Sequence, residues 1–213
     1  MEGIVSDIYD LPEQYDAYSS LDPGATDYTG FLTAYYDFMR AKVVIVGEHF
    51  APHESTDLLA QRIREIEGEH FGGHTIRRVC DNHDKILIND LARMHSLFFV
   101  PTQKDTLEAM VNFTRVQLRS GRVEIVGCEQ LVRQMKTGLF NKQGTKFDVG
   151  AREGHYDLLA ALIYLLRIVN YRANPFKGIH KSVKKDDLIV DGKRASAYTD
   201  FDGTDTIKNV LGL

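Results

Sequence analysis

Nowhere in the 213 residues is there a GxxxxGK[ST] phosphate loop, a CxxC pair or an HExxH helix motif. Nor does any apolar run approach the roughly twenty residues that a membrane span needs. The missing phosphate loop argues against a phosphate-loop ATPase in this chain, and the missing apolar run against a membrane span. His49, His53, His70, His74 and His83 have neither metal-ligand spacing nor cysteine partners, so a structural zinc is not expected. The two cysteines, Cys80 and Cys128, stand far apart and no secretory leader is read, which fits buried thiols in a reducing compartment rather than a disulfide scaffold. Excess positive charge is also missing. The formal net charge of -4 speaks against a basic coat, while leaving room for a local basic groove beside an acidic site.

What is present is an ordinary globular composition, 43% hydrophobic and 26% charged, sufficient for one soluble domain with an appendage. Residues 1–13 carry little pattern and read as a loosely packed leader, 14–172 as the folded domain, and 173–213, where lysines and then aspartates replace apolar periodicity, as a tail. Three strands are expected first: one ending at Asp22, one from Tyr28 to Tyr36, and one from Lys42 to Phe50 around Val43-Val44-Ile45-Val46. Their short connections favour an antiparallel meander. Ser55 is placed to cap a helix with Leu58, Leu59, Ile63 and Ile66 on one side, ended by Gly68 or by Gly72-Gly73. The rhythm then alternates: strand at Thr75–Asp81, helix at Lys85–Met94, strand at Leu97–Val100, helix at Thr106–Ser120, strand at Val123–Val126, helix at Glu129–Lys136. Such alternation indicates parallel βαβ units. Lys142-Gln143-Gly144 gives turn chemistry to Gly138–Val149, read as a hairpin inserted before a strongly apolar last helix, Leu158–Val169.

Acids fall at the edges of these elements. Asp22 closes the first strand in Ser19-Ser20-Leu21-Asp22-Pro23-Gly24, Asp81 closes the strand ending Val79-Cys80, and Asp157 opens the last helix. Open α/β sheets build their sites at the carboxyl ends of strands, where Asp22 and Asp81 both lie, and three carboxylates on the edges of separate core elements suggest a metal site. Each also has a plainer reading: Asp22 as a turn residue before Pro-Gly, Asp157 as a helix cap or macrodipole partner, Asp81 as the start of a loop capping the next helix. Asp27, Glu48, Asp84 and His155 are auxiliary candidates, against turn, half-buried strand and solvated-loop roles. Lys136, Lys142 and Lys146 around the hairpin, with Arg152 beside Asp157, form a basic group suited to gripping a phosphate backbone.

The order of elements resembles the ribonuclease-H-like fold, a mixed sheet in which an antiparallel three-strand meander is followed by parallel βαβ units flanked by helices. Four segments narrow the resemblance: Ser20-Leu21-Asp22-Pro23-Gly24-Ala25-Thr26-Asp27, Val79-Cys80-Asp81, Pro101-Thr102-Gln103-Lys104-Asp105 followed by the helix to Ser120-Gly121-Arg122-Val123, and Gly154-His155-Tyr156-Asp157-Leu158 to Leu162. In that order the chain looks like the nuclease domain of a tailed-bacteriophage large terminase subunit, from about Gln14 to Tyr171. The resemblance implies an endonuclease that cuts concatemeric double-stranded DNA with low sequence preference. It implies two Mg2+ or Mn2+ ions, with Asp22 bridging both, Asp81 supporting one and Asp157 the other. It also implies a terminase ATPase domain, a small terminase subunit and a portal as partners, and the host-cell cytoplasm as location. Mg2+ takes oxygen ligands and few protein carboxylates, which suits such a triad. A Holliday-junction-resolvase-like nuclease and a metal-free docking module for a packaging motor or portal stay open. An actin-like or sugar-kinase-like ATPase is disfavoured by length, since such proteins enclose the nucleotide between two domains.

Overall fold

Tyr15–Asp22 carries an unbroken run of small and apolar residues from Ala17 to Leu21 that is buried on both faces, and the next two segments hold buried runs of the same kind. The computed structural model describes residues 5–6, 9–24, 28–72, 74–81, 84–103, 105–137, 156–173, 175–176, 189–190 and 193–194. Among these the strands are β1 (Val5–Ser6), β2 (Tyr15–Asp22), β3 (Tyr28–Asp37), β4 (Lys42–Pro52), β5 (Ile76–Cys80), β6 (Val100–Pro101), β7 (Val123–Val126), β8 (Ile189–Val190) and β9 (Lys193–Arg194). The helices are α1 (Thr56–Phe71), α2 (Lys85–His95), α3 (Leu107–Arg119), α4 (Glu129–Thr137) and α5 (Asp157–Ile168). The chain divides into two compact units, Met1–Ala173 and Asn174–Leu213. In the second, the described residues form the antiparallel ribbon β8-β9.

The first unit is built on a seven-stranded sheet of order β1-β7-β4-β3-β2-β5-β6. β2, β3 and β4 are the antiparallel meander, and every other neighbouring pair is parallel. This is the mixed ribonuclease-H-like architecture expected from the element order. Strand alternation sorts side chains onto two faces. Leu21 and Phe31 pack with Leu59 and Ile63 of α1 and Leu91 of α2 on one face. Tyr18, Leu32, Ala34, Val43 and Ile45 pack under α5 on the other.

α5 is apolar nearly all round because it is covered twice, by the sheet beneath and by residues of α3 and α4 above. Leu158, Leu162, Leu165 and Leu166 are all fully buried. At roughly 1.5–3 kcal/mol per buried leucine side chain, packing rather than capping (typically ~1 kcal/mol) decides where this helix lies. On the opposite layer, Glu67 of α1 is 4% exposed and receives Arg78 Nε and Nη2 at 2.8 and 2.6 Å and Ser19 Oγ at 2.9 Å. That fully bonded pair ties α1 to β2 and β5.

Local signals hold at most boundaries. The Ser55 hydroxyl accepts from Leu58 N–H, and α1 ends at Gly72, whose φ of 58° is a conformation glycine adopts without strain. Two segments depart from expectation. Leu97 and Phe99 do not extend β6. They fall into the core after Ser96 turns left-handed with its N–H on Ala92 O, and Leu97 N–H bonds back to Leu91 O, so that Leu97 joins the cluster holding Leu91. An apolar stretch read by strand propensity is thus a helix stop. The leader also joins the fold: β1 pairs in parallel with β7 and forms one edge of the sheet, and Tyr9 packs on Tyr35 and His70. Two residues of pairing are too few to leave a period in the sequence. The expected hairpin at 138–149 lies outside the described residues.

Buried tyrosines give the fold a marked alkaline limit. Burial pushes Tyr35 up to about 12, and burial likewise raises Tyr18, Tyr164 and Tyr171. The folded chain therefore holds these phenol protons where the unfolded chain has released them. Their contribution is complete below about pH 10 and is lost as pH rises, with a slope of up to about 1.4 kcal/mol per pH unit for each group. Cooperative unfolding with simultaneous appearance of tyrosinate absorbance is expected between about pH 10 and 12. Non-cooperative ionisation at ordinary tyrosine pH would contradict it.

Candidate metal centre

β2 and β5 run parallel with Leu21 opposite Cys80, and the ladder continues one step further, Asp81 N–H donating to Leu21 O at 3.1 Å. Adjacent strands lie about 4.8 Å apart, so Asp22 and Asp81 end neighbouring strands at the same level of the sheet. Alternation also gives them the same face. Ser20, two before Asp22, donates its hydroxyl to Ala161 O of α5 at 2.8 Å, and Val79, two before Asp81, packs on Ile163 and Tyr164 of α5. Both carboxylates belong to the α5 side.

Asp157 is delivered to the same edge by a missing side chain. Gly30 of β3 is the register partner of Asp22. A Cβ at Gly30 would lie 2.5 Å from the carbonyl carbon of Asp157, 2.7 Å from its oxygen and 2.7 Å from Leu158 N. The first turn of α5 thus rests directly on β3 one strand away from Asp22. Gln134 of α4, buried, accepts from Leu159 N–H at 3.1 Å, and the Tyr156 hydroxyl donates to Thr137 O at 3.1 Å. Asp157 is the first helical residue rather than the cap, placing its charge at the positive end of the α5 dipole.

The three charges meet at Tyr164. Its hydroxyl donates to Asp81 Oδ2 at 3.2 Å. Burial, and then the negative charges of Asp22, Asp81 and Asp157, push the phenol well above the usual tyrosine range. Asp81 is 9% exposed, and its Oδ1 and the Oδ2 of Asp157 are shut off from solvent. Among the described residues, no three His, Cys, Asp or Glu side chains close into a compact metal-binding group. Of the three carboxylates Asp81 touches the Tyr164 hydroxyl, and Asp22 and Asp157 act on it as negative charges. As donors they are all hard oxygens, which suits Mg2+ or Mn2+ and not a soft-ligand site.

Two of the auxiliary candidates, Glu48 and Asp84, bond to helix starts. Both Glu48 oxygens accept backbone N–H groups at the start of α4, Gln130 at 2.9 Å and Leu131 at 2.8 Å. Burial raises the Glu48 carboxyl above the usual carboxylate range, against the lowering effect of those two bonds. A register shift between Thr33 and Ala34 leaves Val46 as an extra residue in β4, which re-aims the residues after it and brings Glu48 to α4. Asp84 caps α2, its Oδ1 accepting from Leu87 N–H at 3.0 Å. Lys136 is exposed in the last turn of α4 and, with Arg133, borders a cavity of about 450 Å3 at the carboxyl end of β7. Asp27, His155, Lys142, Lys146 and Arg152 lie outside the described residues.

Gly30 and Tyr164 were not among the residues singled out from the sequence. An isolated glycine inside a strand does signal close backbone approach. A tyrosine in Leu-Ile-Tyr-Leu-Leu reads only as core.

No family model and no curated protein matches this chain. Solved structures do. The nuclease domain of the P22 large terminase superposes with a TM-score of 0.63 at 13% identity, covering 78% of this chain and 88% of that one. The fold is that of large-terminase nuclease domains. The g2p large terminase nuclease domain of bacteriophage SPP1, with Mn bound, gives 0.54 at 15% identity over 71% of this chain and 85% of its own. The large terminase of a thermophilic bacteriophage, in complex with ADP, gives 0.65 at 14% identity over 79% of this chain. This chain spans 42% of that longer protein.

Proposed function

We propose that this chain is a divalent-metal-dependent DNA endonuclease domain of a viral packaging terminase, with Asp22, Asp81 and Asp157 as metal ligands. The observation that carries the reading is the placing of these carboxylates on one side of the sheet, Asp22 and Asp81 at neighbouring strand ends and Asp157 at a helix start that rests on the strand paired with Asp22. The Mn-bound terminase nuclease domain of the same fold supports the choice of ion.

Two Mg2+ or Mn2+ ions held by the triad would supply charge neutralisation at the phosphoryl group and a lowered water pKa at neutral pH. The chain's own part is positional. Asp22, at the central strand end, Asp81 and Asp157 would hold the ions through their carboxylate oxygens. Asp81 and Asp157 are carried on β5 and α5, elements packed into the core, and each has one carboxylate oxygen shut off from solvent. Lys136, with Lys142, Lys146 and Arg152, grips phosphates of double-stranded DNA, contacts that position the duplex without reading bases. A terminase ATPase domain, a small terminase subunit and a portal are the partners of this reading, in the host-cell cytoplasm.

Incubation of the chain with supercoiled plasmid in Mg2+ or Mn2+ is expected to yield nicked and linear DNA, and EDTA to suppress both. Absence of cutting in either metal, with no Mn2+ bound by paramagnetic resonance, would sink the nuclease reading and leave a docking module. Strong preference for four-way junctions would point to a resolvase.

A further inference from the structure

We infer that Tyr164 is a positioning residue of the carboxylate site, whose hydroxyl orients Asp81 for metal binding; the inference rests on the nuclease reading above. Tyr164 stands seven residues after Asp157, two turns along the same face of α5. Two turns are about 11 Å along the axis, and helical side chains lean toward the N-terminus. The phenol therefore reaches back along the helix toward the acids, where its hydroxyl meets Asp81 Oδ2 at 3.2 Å.

Packing alone gives no reason for the hydroxyl. The ring sits among Val79, Met110, Val111 and Ile163, where phenylalanine would serve as well. Burying a phenol oxygen is unfavourable unless it is bonded, and the bond made goes to a carboxylate at the end of β5. On its other side the ring borders a cavity of about 290 Å3 shared with Thr102, Gln103 and Arg167, so core contacts do not enclose it. By taking Asp81 Oδ2, the hydroxyl fixes the carboxylate rotation and so determines where Oδ1 points. Partners behind a ligand typically change metal affinity by 10–100-fold when removed.

The test uses the full chain and its Tyr164→Phe variant. Mn2+ binding is followed by paramagnetic resonance of the free ion, plasmid cutting is titrated with Mn2+, and melting is recorded without metal. The expected result is a dissociation constant for Mn2+ raised about tenfold. The Mn2+ needed for half-maximal cutting should rise in parallel, with the rate at saturating metal within about threefold of the parent and melting unchanged within a few degrees. In an Asp81→Asn background, Tyr164→Phe should weaken Mn2+ binding by less than about twofold, because its partner is already altered. Unchanged Mn2+ affinity in a folded Tyr164→Phe variant would overturn the inference. So would failure of that variant to fold, which would make the hydroxyl a structural requirement. A parent chain that neither binds Mn2+ nor cuts removes the nuclease reading itself, and is distinguished because the defect is present without any substitution.

Discussion

Asp22→Asn is expected to reduce metal-dependent plasmid cutting by at least about 100-fold while leaving the protein as stable as before or more so. The magnitude follows from what a metal ligand does: ions at a phosphoryl group supply several kcal/mol of transition-state stabilisation, and about 1.4 kcal/mol is a factor of ten in rate. Asparagine keeps the shape and one acceptor oxygen but removes the charge that holds a hard cation. The effect on stability has the opposite sign because Asp22, Asp81 and Asp157 all act on the buried Tyr164 phenol as negative charges of one neighbourhood. Like charges repel in the metal-free fold, and deleting one relieves that repulsion. Rates at saturating Mn2+ and melting temperatures in EDTA measure the two effects separately. A variant that retained more than about a tenth of the parent rate would remove Asp22 from the metal site. The same contrast is expected for Asp157→Asn, tempered by loss of a charge at the positive end of α5.

Gly30→Ala is expected to cut activity far more than it lowers stability. The added carbon would sit 2.5 Å from the Asp157 carbonyl carbon and 2.7 Å from Leu158 N. Both are backbone atoms, so no side-chain rotation can relieve the contact. Either β3 or the start of α5 must move. β3 is held on both edges by β2 and β4, whereas the helix start is held by Gln134, Tyr156 and its leucines, so the helix is the part that yields. Overpacking of this kind costs typically about 1–3 kcal/mol. A displacement of about 1 Å at a reacting centre costs about 100-fold in rate, so cutting should fall by more than the stability loss explains. Gly68→Ala is the matching control. Gly68 is exposed in α1 with nothing within 4 Å of its added Cβ, and the change should stabilise by about 0.5–1 kcal/mol without touching cleavage. Denaturant melts and plasmid assays on the two variants give the comparison. Equal activity in both would disconnect Gly30 from the placement of Asp157.

Much of the scaffold was readable from local chemistry. Ser55 and Gly72 bound α1 as their types dictate, and the β-rich run from Val43 lies in β4. Asp22, Asp81 and Asp157 draw attention because each stands at the end of an apolar element, and each does stand there: at the last residue of β2, one past β5 and at the first residue of α5. Where reading failed, the deciding partner was distant in sequence. Glu48 has no local sign of its task, because the N–H groups it accepts belong to Gln130 and Leu131, 82 and 83 residues away. Leu97 and Phe99 have strand composition, yet the left-handed turn at Ser96 sends them into the core.

The sequence by itself determined the kind and order of the longer elements and the carboxylates at their ends, since capping, turn chemistry and apolar period act within a few residues. Tertiary structure alone decided that those ends share one edge. The parallel alignment of Leu21 with Cys80 puts Asp81 beside Asp22. The bare backbone of Gly30 admits the start of α5 and with it Asp157. Tyr164, two turns further along that helix, becomes the group on which all three charges act. Strand register and helix docking depend on packing between residues dozens of positions apart, and no local pattern encodes that distance.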